Sequence, residues 1–547
     1  MGSSAHVDTF ARDNLPPKEQ WPELLFELPE FQYPDRLNCA AELLDKAVEE
    51  GHAGRPVIHA PGNAGSIVLT YRELLALANR IAHVLTDDLG LVPGNRVLLR
   101  SANSPMLAAC IFAVWKAGGI VVPSMRLLRA KELRQVMAKA KVDFALCDVR
   151  LRDDLEAATQ SGRDLKQILF FGDGGPDSLE AALAAKSTRF SNVETAADDV
   201  ALIAFTSGTT GLPKAAMHFH RNILAMCDCW PRSILRPGPD DIICGTPPLA
   251  FTYGLGMMLC SPMRFRASTV LVEKLTPAGL LQTIQDFRCT YSASVPTFYR
   301  QMAPLAGKFD IGTLRTAISS GEALPDATRA AFREASGIEL IDGLGSTEII
   351  ATFISHTPER VRRGATGYAI PGFRATVLDG EGKVCPPNVS GRLAVKGPTG
   401  CLYLADERQA QYVQGGWNLT GDAYAMDKDG YFYFQGRTDD MIVSAGYNIS
   451  GLEVESALLT HEAVAECGVV GIPDDERGQL VSAFVILKPG FSAGEQMVKS
   501  IQDFVKAAIA PYKYPRRVEF VATLPRTETG KLQRFKLRGL APLGAGA

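Results

Sequence analysis

The chain predicts an α/β protein: a large N-terminal domain of two helix-covered sheets with a small β subdomain, followed by a small α+β C-terminal domain. Three observations carry this. At 547 residues the chain is too long for one hydrophobic core. From about residue 36 to 200, and again from about 200 to 365, helical periodicities alternate with short apolar runs, as in parallel sheets covered by helices. Near 370 the texture shifts to short strands punctuated by Gly, Pro, Asn and Asp, and near 438 to a mixed pattern the length of a small independent domain.

In chain order, residues 1–35 are polar and proline-containing and read as an arm lying on the surface. Tyr71–Ala82 reads as an amphipathic helix, and Arg96–Arg100 and Val142–Cys147 as strands. The most apolar stretch, Met106–Pro123, is interrupted by Lys116, Gly118 and Gly119 and is short for a membrane span, so it predicts a buried helix followed by a buried strand. Ala201–Phe205 predicts a buried strand, and further strands are expected at Ser268–Val272, Cys289–Ala293 and Thr316–Ser319. Ala375–Leu378, Arg392–Val395 and Tyr431–Phe434 would make the β subdomain. The domain boundaries expected are 36–437 for the large domain, 438–440 for a connector and 441–547 for the C-terminal domain. That last domain should hold helices near 451–460 and 494–509 and strands near 464–472 and 480–487.

Composition excludes several classes. Lys and Arg number 57 against 60 Asp and Glu, a net charge of −3 with no basic stripe for nucleic acid and no polybasic segment for a membrane. The eleven cysteines are scattered without a Cys-x-x-Cys, as expected of reduced thiols. With no apolar leader visible, the chain reads as cytoplasmic. His218 and His220 would point the same way from a strand but lack further metal ligands nearby.

The chemistry concentrates in a few strings. After the strand at Ala201–Phe205 comes Thr206-Ser207-Gly208-Thr209-Thr210-Gly211-Leu212-Pro213-Lys214, with three residue types suited to a phosphate on one loop. Glycines let backbone N–H groups approach an anion, hydroxyls add donors, and the lysine adds a mobile charge. The spacing is not that of Walker A. Ser320-Gly321-Glu322-Ala323-Leu324 follows another strand, and its plain reading is a strand-to-helix turn. In Asp342-Gly343-Leu344-Gly345-Ser346-Thr347-Glu348 the glycines would give a planar base room against the backbone, and Glu348 offers oxygen to Mg²⁺. Asp422 in Thr420-Gly421-Asp422 offers a carboxylate to a diol, and Lys531 sits on a glycine-flanked loop. Alone, each of these is as easily a turn or a solvated side chain.

Together and in this order, over about residues 35–540, the strings resemble the adenylate-forming superfamily of acyl-CoA synthetases, peptide-synthetase adenylation domains and beetle luciferases. The resemblance implies ATP, Mg²⁺ and coenzyme A as co-substrates, and a two-step conversion of an acid to acyl-AMP and then to a thioester. By position it implies that Thr206, Ser207, Gly208, Thr209, Thr210, Gly211 and Lys214 wrap the β- and γ-phosphates. Glu348 would ligate Mg²⁺ and Thr347 touch the α-phosphate. Gly321, Glu322, Ala323, Asp342, Gly343 and Leu344, with Gly345 and Ser346, would frame the nucleotide. Asp422 would take the ribose, with Arg437 nearby. Lys531 would bridge the substrate carboxylate and the α-phosphate in the first half-reaction only. The C-terminal domain would then rotate about Asp439, bringing Ser444, Ala445, Gly446 and Tyr447 to line the pantetheine tunnel.

Pro247-Pro248-Leu249-Ala250-Phe251-Thr252-Tyr253-Gly254 resembles the segment lining the acyl pocket of benzoate-type CoA ligases, which implies that Phe251, Tyr253 and Gly254, with Gly345, flank an aromatic acid. The other wall would hold Ala351 and Thr352, where benzoate ligases tend to carry a histidine and an aliphatic residue. That departure implies a roomier, more polar pocket, and with the opening region from Asp13 to Asn38 it resembles 2-aminobenzoate (anthranilate) CoA ligases. Benzoate or hydroxybenzoate stays an alternative, as do a separate carrier protein as acceptor, a homodimer by family habit, and a non-catalytic nucleotide sensor.

Overall fold

The computed structural model describes residues 3–62, 65–159, 165–206, 213–437, 440, 442–444, 447–474, 477–509, 511–526 and 532–540. Ser207, Gly208, Thr209, Thr210 and Gly211, the expected hinge position Asp439, Ala445, Gly446 and Lys531 lie outside these residues.

Two large sheets dominate. A six-stranded sheet runs, in spatial order, Gln167–Phe171, Phe144–Asp148, Arg96–Arg100, Ile120–Ser124, Val200–Thr206 and Lys214–Phe219. It is parallel except for the last pair. The second sheet has a parallel centre of Ser268–Val270, Ile242–Gly245, Tyr291–Ser294, Thr316–Ser320 and Leu340–Gly345. The strands of the expected β subdomain form, and they continue this second sheet. Thr352–Ser355 pairs antiparallel with Leu340–Gly345, and the path runs on through Gly367–Ala369 and Tyr431–Arg437 to Trp417–Met426, Gly391–Lys396 and Arg374–Leu378.

Local chemistry explains the elements. Tyr71–His83 is helical behind a capping box, in which Thr70 Oγ1 accepts the Glu73 N–H and the Glu73 carboxylate accepts the Thr70 N–H at 2.8 Å. Pro105–Lys116 starts behind Ser104 and is buried on nearly every face, and the strand Ile120–Ser124 follows it. Lys116, one of the breaks in that apolar stretch, is itself buried, with its ammonium 2.6 Å from Asp45. Removing Asp45 would strand that charge in the core. All eleven cysteines are free and buried. The N-terminal arm does more than lie on the surface: Ala11 and Phe31 enter two different hydrophobic cores, and Asp8 holds the buried Arg96 at 2.6 Å.

The C-terminal domain has its own core, built from Ile442, Val454, Leu458, Val469, Val481 and Ile501 among others. Arg534 holds the buried Glu455 at 2.8 Å, and Arg300 of the large domain donates to the Ala465 carbonyl across the interface. No helix among the described residues is long and apolar enough to cross a membrane.

Candidate functional site

The parallel strands of both sheets end on one cavity of about 520 Å³. Ser101 and Asn103 follow one strand of the first sheet, and Met125 follows its neighbour. Thr246, Val272, Val295, Gly321 and Thr347 follow, or lie just beyond, strands of the second sheet. Strand carboxyl ends are where open α/β sheets bind ligands, since the loops leaving them are free to carry chemistry.

One end of the cavity is closed and largely apolar. Phe251, Tyr253, Gly345, Ala351 and Thr352 line it as the sequence implied. Gly254 does not. A Cβ there would lie 1.9 Å from the Pro248 carbonyl oxygen, so that glycine serves the tight Pro247–Pro248 turn. The closed end also holds Met226, Trp230, Met257 and Ser261, which sequence reasoning missed. Their helical segments are buried on most faces, so no amphipathic stripe marks the residues facing the cavity. The Trp230 indole is fixed by its N–H to Ser355 Oγ at 2.9 Å.

That indole bears on the reading of two glycines. A Cβ on Gly343 would sit 2.8 Å from Trp230 Cζ2 and Cη2, and one on Gly345 would sit 2.8 Å from the Ala351 carbonyl oxygen. A side chain at either position would therefore collide with the protein itself. Gly321, by contrast, has φ +90°, a turn conformation that favours glycine. Ile350, on the cavity wall, has φ +59°, and for a β-branched residue this is a strained backbone of the sort concentrated at functional sites.

Beside the cavity the structure joins residues far apart in sequence. Thr206 ends one strand and Lys214 begins the next, directly opposite it in the antiparallel pair, so Lys214 sits on a strand rather than on the loop. The segment Cys401–Leu404 runs alongside that strand, with the Leu404 N–H to the Ala215 carbonyl at 2.9 Å and the Met217 N–H to the Leu402 carbonyl at 2.8 Å. This brings Tyr403 to the site. Its hydroxyl donates to Glu348 Oε1 at 2.9 Å, and Lys214 Nζ lies 5.5 Å from its ring centroid. Burial and the Glu348 charge hold the Tyr403 hydroxyl well above its usual titration range, so it stays a donor. Tyr412 stands edge-on to Tyr403 at 5.8 Å and reaches Ser346 Oγ at 3.5 Å. No string in the sequence marks either tyrosine.

His218 has a role other than metal binding. It is buried, and burial lowers its pKa to about 4. The neutral ring meets the Thr347 carbonyl with Nε2 at 2.9 Å, and since a carbonyl only accepts, Nε2 carries the proton. His218 thus fixes the backbone of Thr347. His220 turns elsewhere, to Cys39. His356 acts similarly on the neighbouring strand, its Nε2 accepting the Asp342 N–H at 3.1 Å. Burial raises the Asp342 carboxyl to about 7, opposed by the nearby Arg329 charge.

The remaining predicted residues sit around this frame. Asp422 lies opposite Arg437 in a strand pair, and its charge bears on Tyr412. Glu322 lies near enough to bear on Arg534. Ser444 is buried, and Tyr447 lies on the facing strand of the same hairpin. Among the described residues no group of three acidic, histidine or cysteine side chains could cage a metal. Tyr403 engages Glu348 through Oε1 and leaves the other carboxylate oxygen for a cation, a donor set that suits Mg²⁺, which takes one or two carboxylates and fills its shell with phosphate and water.

Residues 44–402 match the AMP-binding enzyme family, and residues 453–531 match the AMP-binding enzyme C-terminal domain. The chain is 34% identical to a benzoate–CoA ligase of Thauera aromatica over 93% of this chain and 97% of that one. Its structure resembles that of an anthranilate CoA ligase in complex with anthranoyl-AMP, with TM-score 0.88 and 31% identity over 94% of this chain and 98% of that one. It also resembles a benzoate CoA ligase from Burkholderia xenovorans LB400, with TM-score 0.84 and 30% identity over 92% of this chain and all (100%) of that one.

Proposed function

We propose that this chain, which belongs to the AMP-binding enzyme family, activates an aromatic acid, 2-aminobenzoate before others, as its acyl-AMP and passes the acyl group to coenzyme A. As a member of that family it is an AMP-forming acid–thiol ligase. The observation that carries the finer reading is the single cavity: its closed end is walled by Phe251, Tyr253, Trp230 and Met257, and it runs without interruption to Ser320, Gly321 and Thr347. An aromatic ring held at the closed end points its carboxylate at the nucleotide strings.

In the first step the carboxylate oxygen attacks the α-phosphorus of ATP, the P–O bond to the β-phosphate breaks, and pyrophosphate leaves. In the second a thiolate attacks the acyl carbon and AMP leaves with the bonding pair. The chain's part is to hold and to neutralise. Thr206 and Lys214, opposite each other, flank the phosphates. Thr347, its carbonyl pinned by His218, faces the α-phosphate. Tyr403 orients Glu348. Mg²⁺, when bound at Glu348, supplies charge neutralisation for the pyrophosphate. Lys531 offsets charge developing at the α-phosphate, a contribution of about 3–4 kcal/mol for such a group. Asp422 takes the ribose, and Asp439 is the pivot on which the C-terminal domain swings Ser444–Tyr447 into place.

The small Ala351 and the polar Thr352 on the cavity wall support a substituted ring, and the fold likeness to a ligase holding anthranoyl-AMP supports the ortho amino group. The test is thioester formation from MgATP and coenzyme A with benzoate, 2-, 3- and 4-aminobenzoate, 2-hydroxybenzoate, cinnamate, acetate and octanoate. A higher kcat/KM for 2-aminobenzoate than for every other acid is expected. Preference for an alkyl acid contradicts the aryl reading, and preference for unsubstituted benzoate contradicts the substituent.

A further inference from the structure

We propose that Gln409 is a positioning residue for the first half-reaction: its buried carboxamide sets the backbone of Tyr403 and, through the Tyr403 hydroxyl, the carboxylate of Glu348. This rests on the reading of Glu348 as the group that serves MgATP. Tyr403 lies in the segment Cys401–Leu404, which has two unlike edges. One edge bonds to the strand Lys214–Phe219, through the Leu404 N–H and the Leu402 carbonyl. The other edge is held by side chains. The Cys401 N–H donates to Asn418 Oδ1 at 2.9 Å, and the Tyr403 N–H donates to Gln409 Oε1 at 2.9 Å.

Gln409 is the centre of that second edge. Its Nε2 donates to the Cys401 carbonyl at 3.0 Å and to the Gln20 carbonyl of the N-terminal arm at 2.8 Å. These partners fix which way the amide points, since a backbone N–H needs the oxygen and two carbonyls need the nitrogen. A carboxamide carries the donor and the acceptor of a peptide group, and here it does what a neighbouring strand would do for the segment. Gln409 is 1% exposed, so water does not stand in for it. Losing the amide leaves the Tyr403 N–H and the Cys401 carbonyl without this partner in the interior, and their burial favours a shift of the segment toward other partners.

Such a shift reaches the chemistry because of what Tyr403 carries. Its hydroxyl donates to Glu348 Oε1 at 2.9 Å, and its ring lies 5.5 Å from Lys214 Nζ. Gln409 also opens the short helix Gln409–Tyr412, whose last residue stands edge-on to Tyr403 at 5.8 Å and reaches Ser346 Oγ at 3.5 Å. The same helix thus fixes the Tyr403 main chain with its first residue and the Tyr403 ring with its last. Gln409 does not line the acyl cavity, so its loss acts on the phosphate side of the site and spares the aryl pocket.

The test is ATP–pyrophosphate exchange with 2-aminobenzoate in the full-length protein, Gln409→Met, Gln409→Glu, Tyr403→Phe, and Gln409→Met combined with Tyr403→Phe. Gln409→Met keeps the length of the side chain and removes the amide. Its exchange kcat should fall about tenfold, as expected for buried groups left unpaired. KM for the acid should stay unchanged, and supplied acyl-AMP should still become thioester at the parent's rate. In the Tyr403→Phe background the same substitution should cost less than about twofold, because the hydroxyl it positions is already gone. Gln409→Glu gives an independent readout. Protonated, it offers an acceptor and one donor; ionised, it offers no donor and faces two carbonyls. Burial raises its titration range, so its exchange relative to the parent should fall as pH rises through that range. An equal fold-loss of Gln409→Met in both backgrounds, a matching rise in KM for the acid, or no loss in the folded variant overturns the inference and leaves the ligase reading intact. If Gln409→Met does not fold, a pH-independent ratio for Gln409→Glu overturns it. A parent protein that supports exchange with no carboxylic acid overturns the ligase reading itself.

Discussion

Replacing Tyr403 with Phe removes one oxygen and leaves the ring, and so isolates the hydroxyl's work on Glu348. The hydroxyl donates to Glu348 Oε1 at 2.9 Å from a buried position. The ring keeps its edge contact with Tyr412 and its place under Lys214 in the variant. A hydrogen bond to a charged group contributes about 1.5–3 kcal/mol, more than the roughly 1 kcal/mol of a neutral pair. If that energy orients Glu348 during adenylation, its loss corresponds to a fall of about 10- to 100-fold in rate. ATP–pyrophosphate exchange with saturating 2-aminobenzoate reads this directly, and a melting curve of the variant controls for folding. Exchange within twofold of the parent protein, with the variant folded, would refute the claim that Tyr403 positions Glu348.

Other predictions follow from the same geometry. Gly343→Ala puts a Cβ 2.8 Å from an indole that Ser355 holds in place, so Trp230 must move into the acyl pocket. KM for the aromatic acid should rise about tenfold with little change in KM for ATP, and a matching rise for both would place the damage elsewhere. Asp342 keeps its proton up to about pH 7 in the folded chain, whereas the unfolded chain releases it near the usual value of 3.8. Stability therefore falls as pH rises through that window, by at most about 1.4 kcal/mol per pH unit. Asp342→Asn should remove that slope, so its stability relative to the parent climbs from pH 4 to 7 and levels above; urea melts showing a pH-independent difference would contradict this. Lys531→Ala should abolish acyl-AMP formation yet still turn supplied acyl-AMP into thioester. Asp439→Pro should do the reverse by blocking rotation, and loss of the same half-reaction in both would contradict a rotating domain.

Local pattern made much of the fold legible. The helices Tyr71–His83 and Glu495–Ala508 announce themselves by periodicity, and Arg96–Arg100 by its short apolar run. The Met106–Pro123 stretch was readable because a lysine and two glycines interrupt it, although the partner that lets Lys116 be buried, Asp45, lies far away in sequence. The continuity of the β-rich segment with the second sheet was not readable, because it depends on which strand edges meet. At the site, contiguous strings pointed to Thr347 and Glu348. Tyr403 and Trp230 were silent, and His218 was legible only as a candidate metal ligand, since each acts through a partner distant in sequence: Glu348, Gly343 and the Thr347 carbonyl. The missing side chains of Gly343 and Gly345 looked like room for a base. The structure adds that a Cβ at either would meet Trp230 or the Ala351 carbonyl, a contact that requires knowing what stands opposite.

The central claim, that the cavity joins an aryl pocket to an adenylating site, is tested most directly by a single-turnover experiment. Protein in excess over 2-aminobenzoate is mixed with MgATP, quenched before and after coenzyme A is added, and its products are resolved. The account predicts that 2-aminobenzoyl-AMP and pyrophosphate accumulate first, and that coenzyme A then consumes the adenylate as the thioester and AMP appear together. Thioester formed with ADP and no adenylate at any time, or no aryl adenylate at all, would contradict it.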